Sequence, residues 1–332
     1  MTDQLLAPPT HLSPTESLRL SQLAPRWLRS QAPSSLPYPL SLLTTSESAE
    51  QWQANENLMI ACLRTGDDET ASICLDKLSQ RFGADNERVQ ALRGLYEEAR
   101  APDEKALLDV LKGYDELLAE KPANVPVMKR KVALLRSLSK LPEATKTLTE
   151  LLDSSPIDAE AWSELAELYF LQSMHSQAVF CLEEVLLIMP NAWNIHARLG
   201  EMLFVSANAA EDAGGKLKLL ADAQRSFCRS IELCDDYLRG YYGLKLTSQH
   251  LLVALSQSGS KPPKAQSSDA TVGDLPPPSV ASVEKLRELS TRKLSEIVRR
   301  SMGGERGWDG YDQAELIAAR ELLDRDTQSV QR

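Results

Sequence analysis

AEAWSELAELYFLQSMHSQAVFCLEEVLLIMP, residues 159–190, decides the fold class of this chain. Trp162, Leu165, Ala166 and Tyr169 stand at i, i+3, i+4 and i+7, the spacing that lines four side chains along one stripe of an α-helix. Asp158 precedes the stripe where it can cap the helix, and Glu160 and Glu164 lie near the positive end of the helix dipole. A second helical pattern follows, with Ala178, Leu182 and Val185 on one face. Pro190 closes it, because proline cannot continue a helix and biases its predecessor away from helical backbone.

The same column recurs outward from this stretch. Pro122, Pro156 and Pro190 are spaced 34 residues apart. Ahead of Pro156 stand Ala144, Leu148 and Leu151, and ahead of Pro122 stand Val110, Tyr114 and Leu117, each trio on one helix face. The small residue heading a trio lets two helices approach closely. A large aromatic residue, Leu, a small residue, Tyr, Ala, an apolar residue and Pro at these offsets form the 34-residue tetratricopeptide helix–turn–helix pattern. Other units are degraded. In the first, Asn55 takes the aromatic position, with Leu58, Met59, Cys62, Ala71, Leu75 and Leu78 in register and Gly83 in place of proline. The second carries extra residues around Pro102. In the fifth, Leu199 and Gly200 are in place but the second helix resumes only at Ala223, Phe227 and Ser230, an insertion of eleven residues relative to the fourth unit. A sixth first helix carries Tyr241 and Leu244. The expected architecture is all-α: a right-handed α-solenoid of about five to six tetratricopeptide-type helix pairs with a C-terminal capping helix.

Around the repeats, four regions are expected. Residues 1–50 form a proline-rich, partly irregular arm, since seven prolines oppose any long helix; one segment between Pro14 and Pro25 can make two turns with Leu18 facing inward. Trp27, Tyr38 and Leu40 are too apolar for a purely solvated tail and suit a segment packed along the folded body. Residues 51–255 form the solenoid, 256–280 a disordered Pro/Ser linker, and 281–332 two helices that cap the array. Val283, Leu286, Leu289, Ile297 and Val298 give the first of those helices an apolar face.

Composition narrows function. The chain has 332 residues, a net charge of −10 and no basic stripe, which argues against a nucleic-acid partner. No apolar run approaches the ~18 residues of a membrane span, and the N-terminus lacks the basic and apolar regions of a signal peptide, so a chain on the cytosolic side is expected. Five cysteines without a C-x-x-C pair make no disulfide framework, and Cys74 and Cys181, inside helical apolar patterns, read as small buried hydrophobes. Gly214-Gly215-Lys216 has Ala210 where a phosphate loop needs glycine, and the glycines at 303, 304, 307 and 310 read as a hinge. The four histidines are scattered, with no metal-ligand spacing. Neither enzyme, cofactor nor metal is expected.

A repeat solenoid offers surface instead. With repeat positions 4, 7, 8 and 11 consumed by packing, positions 2, 5, 9 and 12 of first helices face the groove. They hold Lys129, Ala133 and Arg136; Glu160, Ser163, Glu167 and Phe170; and Asn194, Ala197, Glu201 and Phe204. Phe170 and Phe204 then stand one repeat apart as anchors for a partner, unless the register slips by one and buries both rings. Clamping of a peptide C-terminus is disfavoured: Lys129 and Arg136 suit a carboxylate, but Glu160 and Glu167 repel it.

The pieces CLDKLSQRFG (74–83), KRKVALLRS (129–137), EAWSELAELY (160–169) and AVFCLEEVLLIMP (178–190) resemble subunit 2 of the endoplasmic reticulum membrane protein complex. The likeness covers about 55–245 and includes the degraded first two units in order; the arm, the linker and the C-terminal segment lie outside it. It implies a non-enzymatic cytosolic scaffold, peripheral on the reticulum membrane, in a hetero-oligomer with the other subunits. Such a scaffold holds cytosolic segments of membrane subunits, the insertase subunit included, for insertion of tail-anchored and multipass proteins. The alternative is a cytosolic tetratricopeptide co-chaperone adaptor that binds peptide C-termini.

Overall fold

The computed structural model describes residues 5–6, 13–30, 48–257 and 276–330. The chain divides into two units, Met1–Pro156 and Ile157–Arg332. The first holds α1 (Pro14–Ser30), α2 (Ala49–Thr65), α3 (Asp68–Phe82), α4 (Glu87–Arg100), α5 (Glu104–Glu120), α6 (Val125–Ser137) and α7 (Leu141–Ser154). The second holds α8 (Ala159–Leu171), α9 (His175–Ile188), α10 (Trp193–Ala209), α11 (Ala213–Leu233), α12 (Leu238–Gln257), α13 (Val280–Met302) and α14 (Gln313–Val330). Among the described residues there are only helices, and within each unit neighbouring helices pack on one another as in tetratricopeptide hairpins.

Helix boundaries keep the phase of the prolines. Pro122, Pro156 and Pro190 each lie two residues beyond a helix end, at Glu120, Ser154 and Ile188. The next helices begin at Val125, Ala159 and Trp193, again 34 residues apart. Asn124 and Asp158 cap the first two, accepting from the backbone N–H of Val127 at 3.2 Å and Ala161 at 3.0 Å. The trios of the second helices form packing faces. Ala144, Leu148, Leu151, Ala178, Leu182 and Val185 are buried, as is Tyr114, while Val110 and Leu117 are half-buried.

In the first unit, α1 departs from the expected two-turn segment. It is one helix of 17 residues with Pro25 inside it. Ser13 starts it with a capping exchange: its backbone N–H donates to the Glu16 carboxylate at 2.9 Å, and its hydroxyl accepts from the Glu16 N–H at 3.3 Å. Pro14 then occupies the first helical position, where its missing N–H costs nothing. Leu18 does not face inward but is half exposed; Ser17, Leu20, Ser21 and Ala24 make the buried stripe. Leu20 and Ala24 join a core with Leu58, Cys62, Cys74 and Leu78, and Trp27 packs against it while donating from Nε1 to Asn55 Oδ1 at 3.0 Å. Asn55, in the aromatic position of its repeat, is thereby buried with a partner. Tyr38 and Leu40 lie outside the described residues. Further along, the Tyr114 ring lies on the Cα of Gly94, where a Cβ would fall 2.1 Å from its hydroxyl oxygen. That hydroxyl donates to Glu98, which also pairs with Arg130.

In the second unit the eleven inserted residues are absorbed as helix. α10 and α11 have 17 and 21 residues, against 13 and 14 for their counterparts α8 and α9. The added turns are buried rather than looped out: Ala207 and Leu220 form a core with Leu251 of α12 and Val283 of α13. Phe227 of α11 lies between two glycines, and a Cβ at Gly200 or Gly243 would come within 2.9 Å or 2.1 Å of its ring. α13 pairs with α12; between them, residues 258–275, most of the expected linker, lie outside the described residues. Gly304 and Gly307, at φ 65° and 87°, turn the chain from α13 into α14.

Candidate functional site

The first helices of the second unit bring one set of the groove residues together. Phe170 of α8, Glu201 and Phe204 of α10 and Tyr242 and Leu246 of α12 surround a cavity of about 410 Å³. Phe227, between the glycines, lines it too, with Val205, Leu238 and Arg239, and α14 adds Glu315 and Ala318. The lining is mainly aromatic and aliphatic, with charged groups at the edge. Both rings are half-buried, so neither is lost to the core.

Arg198 organises that edge. Its guanidinium makes two parallel hydrogen bonds to Glu167, Nε to Oε1 and Nη2 to Oε2, both 2.7 Å. A third, from Nη1, reaches Glu201 Oε2 at 2.6 Å, and the group lies 5.1 Å from the centre of the Phe170 ring. Burial works against the charge of Arg198, but the two carboxylates outweigh it and hold its pKa above the ordinary arginine value. Glu167 is therefore half of an ion pair, not the free repelling charge expected from the sequence. Arg239, also in the lining, pairs with Glu315, Nε to Oε1 at 2.7 Å. Phe204 also meets the His250 ring edge to face at 4.9 Å. Burial, then the nearby Lys216, lowers the pKa of that imidazole, so it stays neutral at pH 7.

The other expected groove residues are not at this cavity. Ser163 is half-buried on α8, while Glu160 and Asn194 are exposed in the first turns of α8 and α10. Ala197 is a correction, since at 2% exposure it packs inside instead of facing the groove. Lys129, half-buried, Ala133, half-buried, and Arg136, exposed, lie on α6 in the first unit. Trp162 stacks edge-on with Phe180 at 6.1 Å, Leu165 and Ala166 are buried, and Tyr169 is half-buried.

The sequence reading missed Arg198, Arg239, Tyr242 and Glu315. Arg198 had a local signal in its i, i+3 spacing from Glu201, whereas Arg239 and Glu315 are 76 residues apart with no periodic relation. Gly214-Gly215-Lys216 opens α11, where Asp212 caps the helix by accepting from the Gly215 N–H at 2.6 Å. That carboxylate sits where a phosphate would bind. Among the described residues no group of three His, Cys, Asp or Glu side chains is placed to hold a metal, and no helix is long and apolar enough to cross a membrane.

Residues 71–209 match the family described as "EMC2 TPR-like repeat domain". The TPR repeat protein oca3 of Schizosaccharomyces pombe is 34% identical over 245 residues, 74% of this chain and 82% of that protein. ER membrane protein complex subunit 2 of Xenopus tropicalis is 32% identical over 200 residues, 60% of this chain and 63% of the frog protein. The Saccharomyces cerevisiae protein of the same name is 27% identical over 226 residues, 64% of this chain and 77% of the yeast protein.

Proposed function

The chain belongs to the family of endoplasmic reticulum membrane protein complex subunit 2, and from that premise we propose that it is a non-enzymatic scaffold subunit of such a complex. It sits peripherally on the cytosolic face of the reticulum membrane. There it holds cytosolic segments of membrane-embedded subunits, the insertase subunit among them, while the assembly inserts tail-anchored and multipass proteins.

The observation that carries this reading is the cavity among α8, α10, α12 and α14. Phe170, Phe204 and Tyr242 offer aromatic surface, and Arg198 and Arg239 fix charge at its edge, which is the chemistry that receives a peptide segment rather than transforms a substrate. Apolar side chains away from the cavity support a multi-partner assembly: on α9, Phe180 and Leu187 are 52% and 76% exposed.

Affinity purification from detergent-solubilised membranes tests the proposal. A fixed set of integral membrane proteins should co-purify in constant ratio. Recovery of the chain as a free monomer, with no membrane protein attached, overturns it.

A further inference from the structure

We propose that α14 is a displaceable lid on this cavity, and that what displaces it is a partner's amphipathic helix with a carboxylate for Arg239 and a bulky apolar side chain one turn later. The inference rests on the reading of the cavity as a partner site and names the chemistry of the partner.

α14 walls one side of the cavity without filling it, and Ala318 stays exposed to solvent. α14 docks through Leu316, Ala319 and Leu322, which are buried, and leaves Ile317 46% exposed. Its cavity wall is the adjacent stripe of Glu315 and Ala318, three residues apart and so one turn from each other. Ala318 brings a single methyl group to a space of about 410 Å³ lined by Phe170, Phe204 and Tyr242. A helix with a large apolar side chain at that place buries more surface than α14 does, and so competes successfully for the same face.

The attachments of α14 are of a kind that exchange readily. Its polar anchors are the Arg239–Glu315 pair, with side chains 57% and 28% exposed, and, from the turn just before the helix, a hydrogen bond from the Tyr311 hydroxyl to the Asp236 carbonyl at 2.8 Å. With the guanidinium largely in solvent, a pair of this kind stabilises modestly. The tether before α14 carries glycines at 303, 304, 307 and 310, two of them at positive φ, and is held by the Arg300 guanidinium 4.8 Å over the Trp308 ring and by the Trp308–Tyr311 stack, which are the contacts that a change of its direction must break. When α14 leaves, Arg239 loses its carboxylate beside an uncovered apolar floor. An incoming helix satisfies both needs with an acid and a large apolar residue at i and i+3.

The test uses the full purified chain, its Glu315→Arg and Ala318→Leu variants, and a fluorescein-labelled peptide copying residues 308–325 with Ala318→Leu. In the wild type, amide hydrogens of 313–325 should exchange at least tenfold faster than those of α13. The peptide should bind Glu315→Arg at least tenfold more tightly than wild type, and Ala318→Leu more weakly than wild type. Exchange in α14 as slow as in α13 overturns the proposal, as does equal or absent peptide binding across the three chains. A wild-type dimer in solution held by exchanged α14 helices also overturns it, because the lid would then serve a second copy. These measurements use the chain alone: a negative result leaves co-purification with membrane proteins standing, whereas peptide binding without co-purification rejects only the wider assembly.

Discussion

Ser139 and Ser173 hold the same left-handed backbone, φ 58° and 59°, in the turns that join α6 to α7 and α8 to α9. The hydrogen bonds around them also coincide: Lys140 N–H donates to the Leu135 carbonyl and Met174 N–H to the Tyr169 carbonyl, each at 2.9 Å. This is the turn in which the residue after the helix swings left-handed to satisfy the last carbonyls. Gly66 does the same between α2 and α3 at φ 75°, with the Asp67 N–H donating to the Cys62 carbonyl at 2.9 Å. Glycine adopts this conformation freely, whereas an L-residue there costs roughly 1–2 kcal/mol. Ser139→Gly and Ser173→Gly are each expected to stabilise by about 0.5 kcal/mol, after the greater freedom of glycine in the unfolded chain is subtracted. The corresponding Val variants should lose about 2 kcal/mol. Urea melts check both; a Gly variant less stable than wild type contradicts the turn assignment.

Phe227 between Gly200 and Gly243 makes a packing prediction. Gly243→Ala places a methyl 2.1 Å from Cε1 of the ring, so the ring or α12 must move. Overpacking of this kind costs about 1–3 kcal/mol. Phe227→Leu in the same chain should recover part of the loss, giving a coupling energy in a double-mutant cycle. Additive losses would show that the contact does not limit helix approach.

Much of this was readable because helix packing is periodic. The prolines at 122, 156 and 190 set the phase, and the sequence spacing counts the eleven extra residues near 210, though only the structure shows that they lengthen α10 and α11. What failed has physical causes. In α1 the buried stripe is Ser17, Leu20, Ser21 and Ala24, mostly small and half of it polar, so a search for apolar periodicity passes over it and settles on Leu18. Counting prolines as helix breakers also hid Ser13-Pro14-Thr15-Glu16, which is a helix start. At the cavity, Phe170, Glu201 and Phe204 came from repeat position alone, but Glu315 arrives from a helix outside the repeats. Its pairing with Arg239 is a tertiary fact that repeat periodicity does not encode.

Thiol chemistry supplies a pH prediction. Burial is the main force pushing the Cys62 and Cys181 thiols up to about 12 and that of Cys74 up to about 11. An unfolded thiol ionises near pH 8.5–9. Between that value and 11 the unfolded chain therefore releases protons that the folded chain keeps, so stability falls as pH rises. The loss approaches about 1.4 kcal/mol per pH unit for each fully buried thiol. Below pH 8 these three thiols contribute no slope. Denaturant midpoints at pH 8, 9.5 and 10.5, in wild type and in Cys62→Ala, should show a smaller alkaline decline in the variant. At pH 8, iodoacetamide should label Cys62, Cys74 and Cys181 only after denaturation.

Glu98 links Tyr114 and Arg130 inside the first unit, with its side chain 12% exposed. Burial, then the Glu98 carboxylate, raises the pKa of the Tyr114 hydroxyl, which therefore stays protonated as a donor. Glu98→Ala leaves the hydroxyl and a three-quarters buried guanidinium without their shared acceptor, at an expected cost of about 2–3 kcal/mol. Arg130→Met in the Glu98→Ala background should restore stability, because it removes the stranded charge. If the second change lowers stability further, Arg130 has another role in the core.

Phe170 and Phe204 stand one repeat apart, yet their surroundings predict different outcomes on truncation. Phe170 stacks under Arg198 and touches His175 edge-on at 5.7 Å. Arg198 keeps both carboxylates when the ring is gone, so Phe170→Ala should cost only about 1 kcal/mol, mostly the cation–π and area terms. Phe204 packs against the core formed by Ala207, Leu220, Leu251 and Val283 as well as facing the cavity. Phe204→Ala should therefore cost about 2–3 kcal/mol. If the cavity captures a partner, both variants lose the co-purifying membrane proteins, and Phe170→Ala does so while melting close to wild type. A Phe170→Ala chain that unfolds as readily as Phe204→Ala would make that ring a core residue and remove the aromatic anchor from the groove.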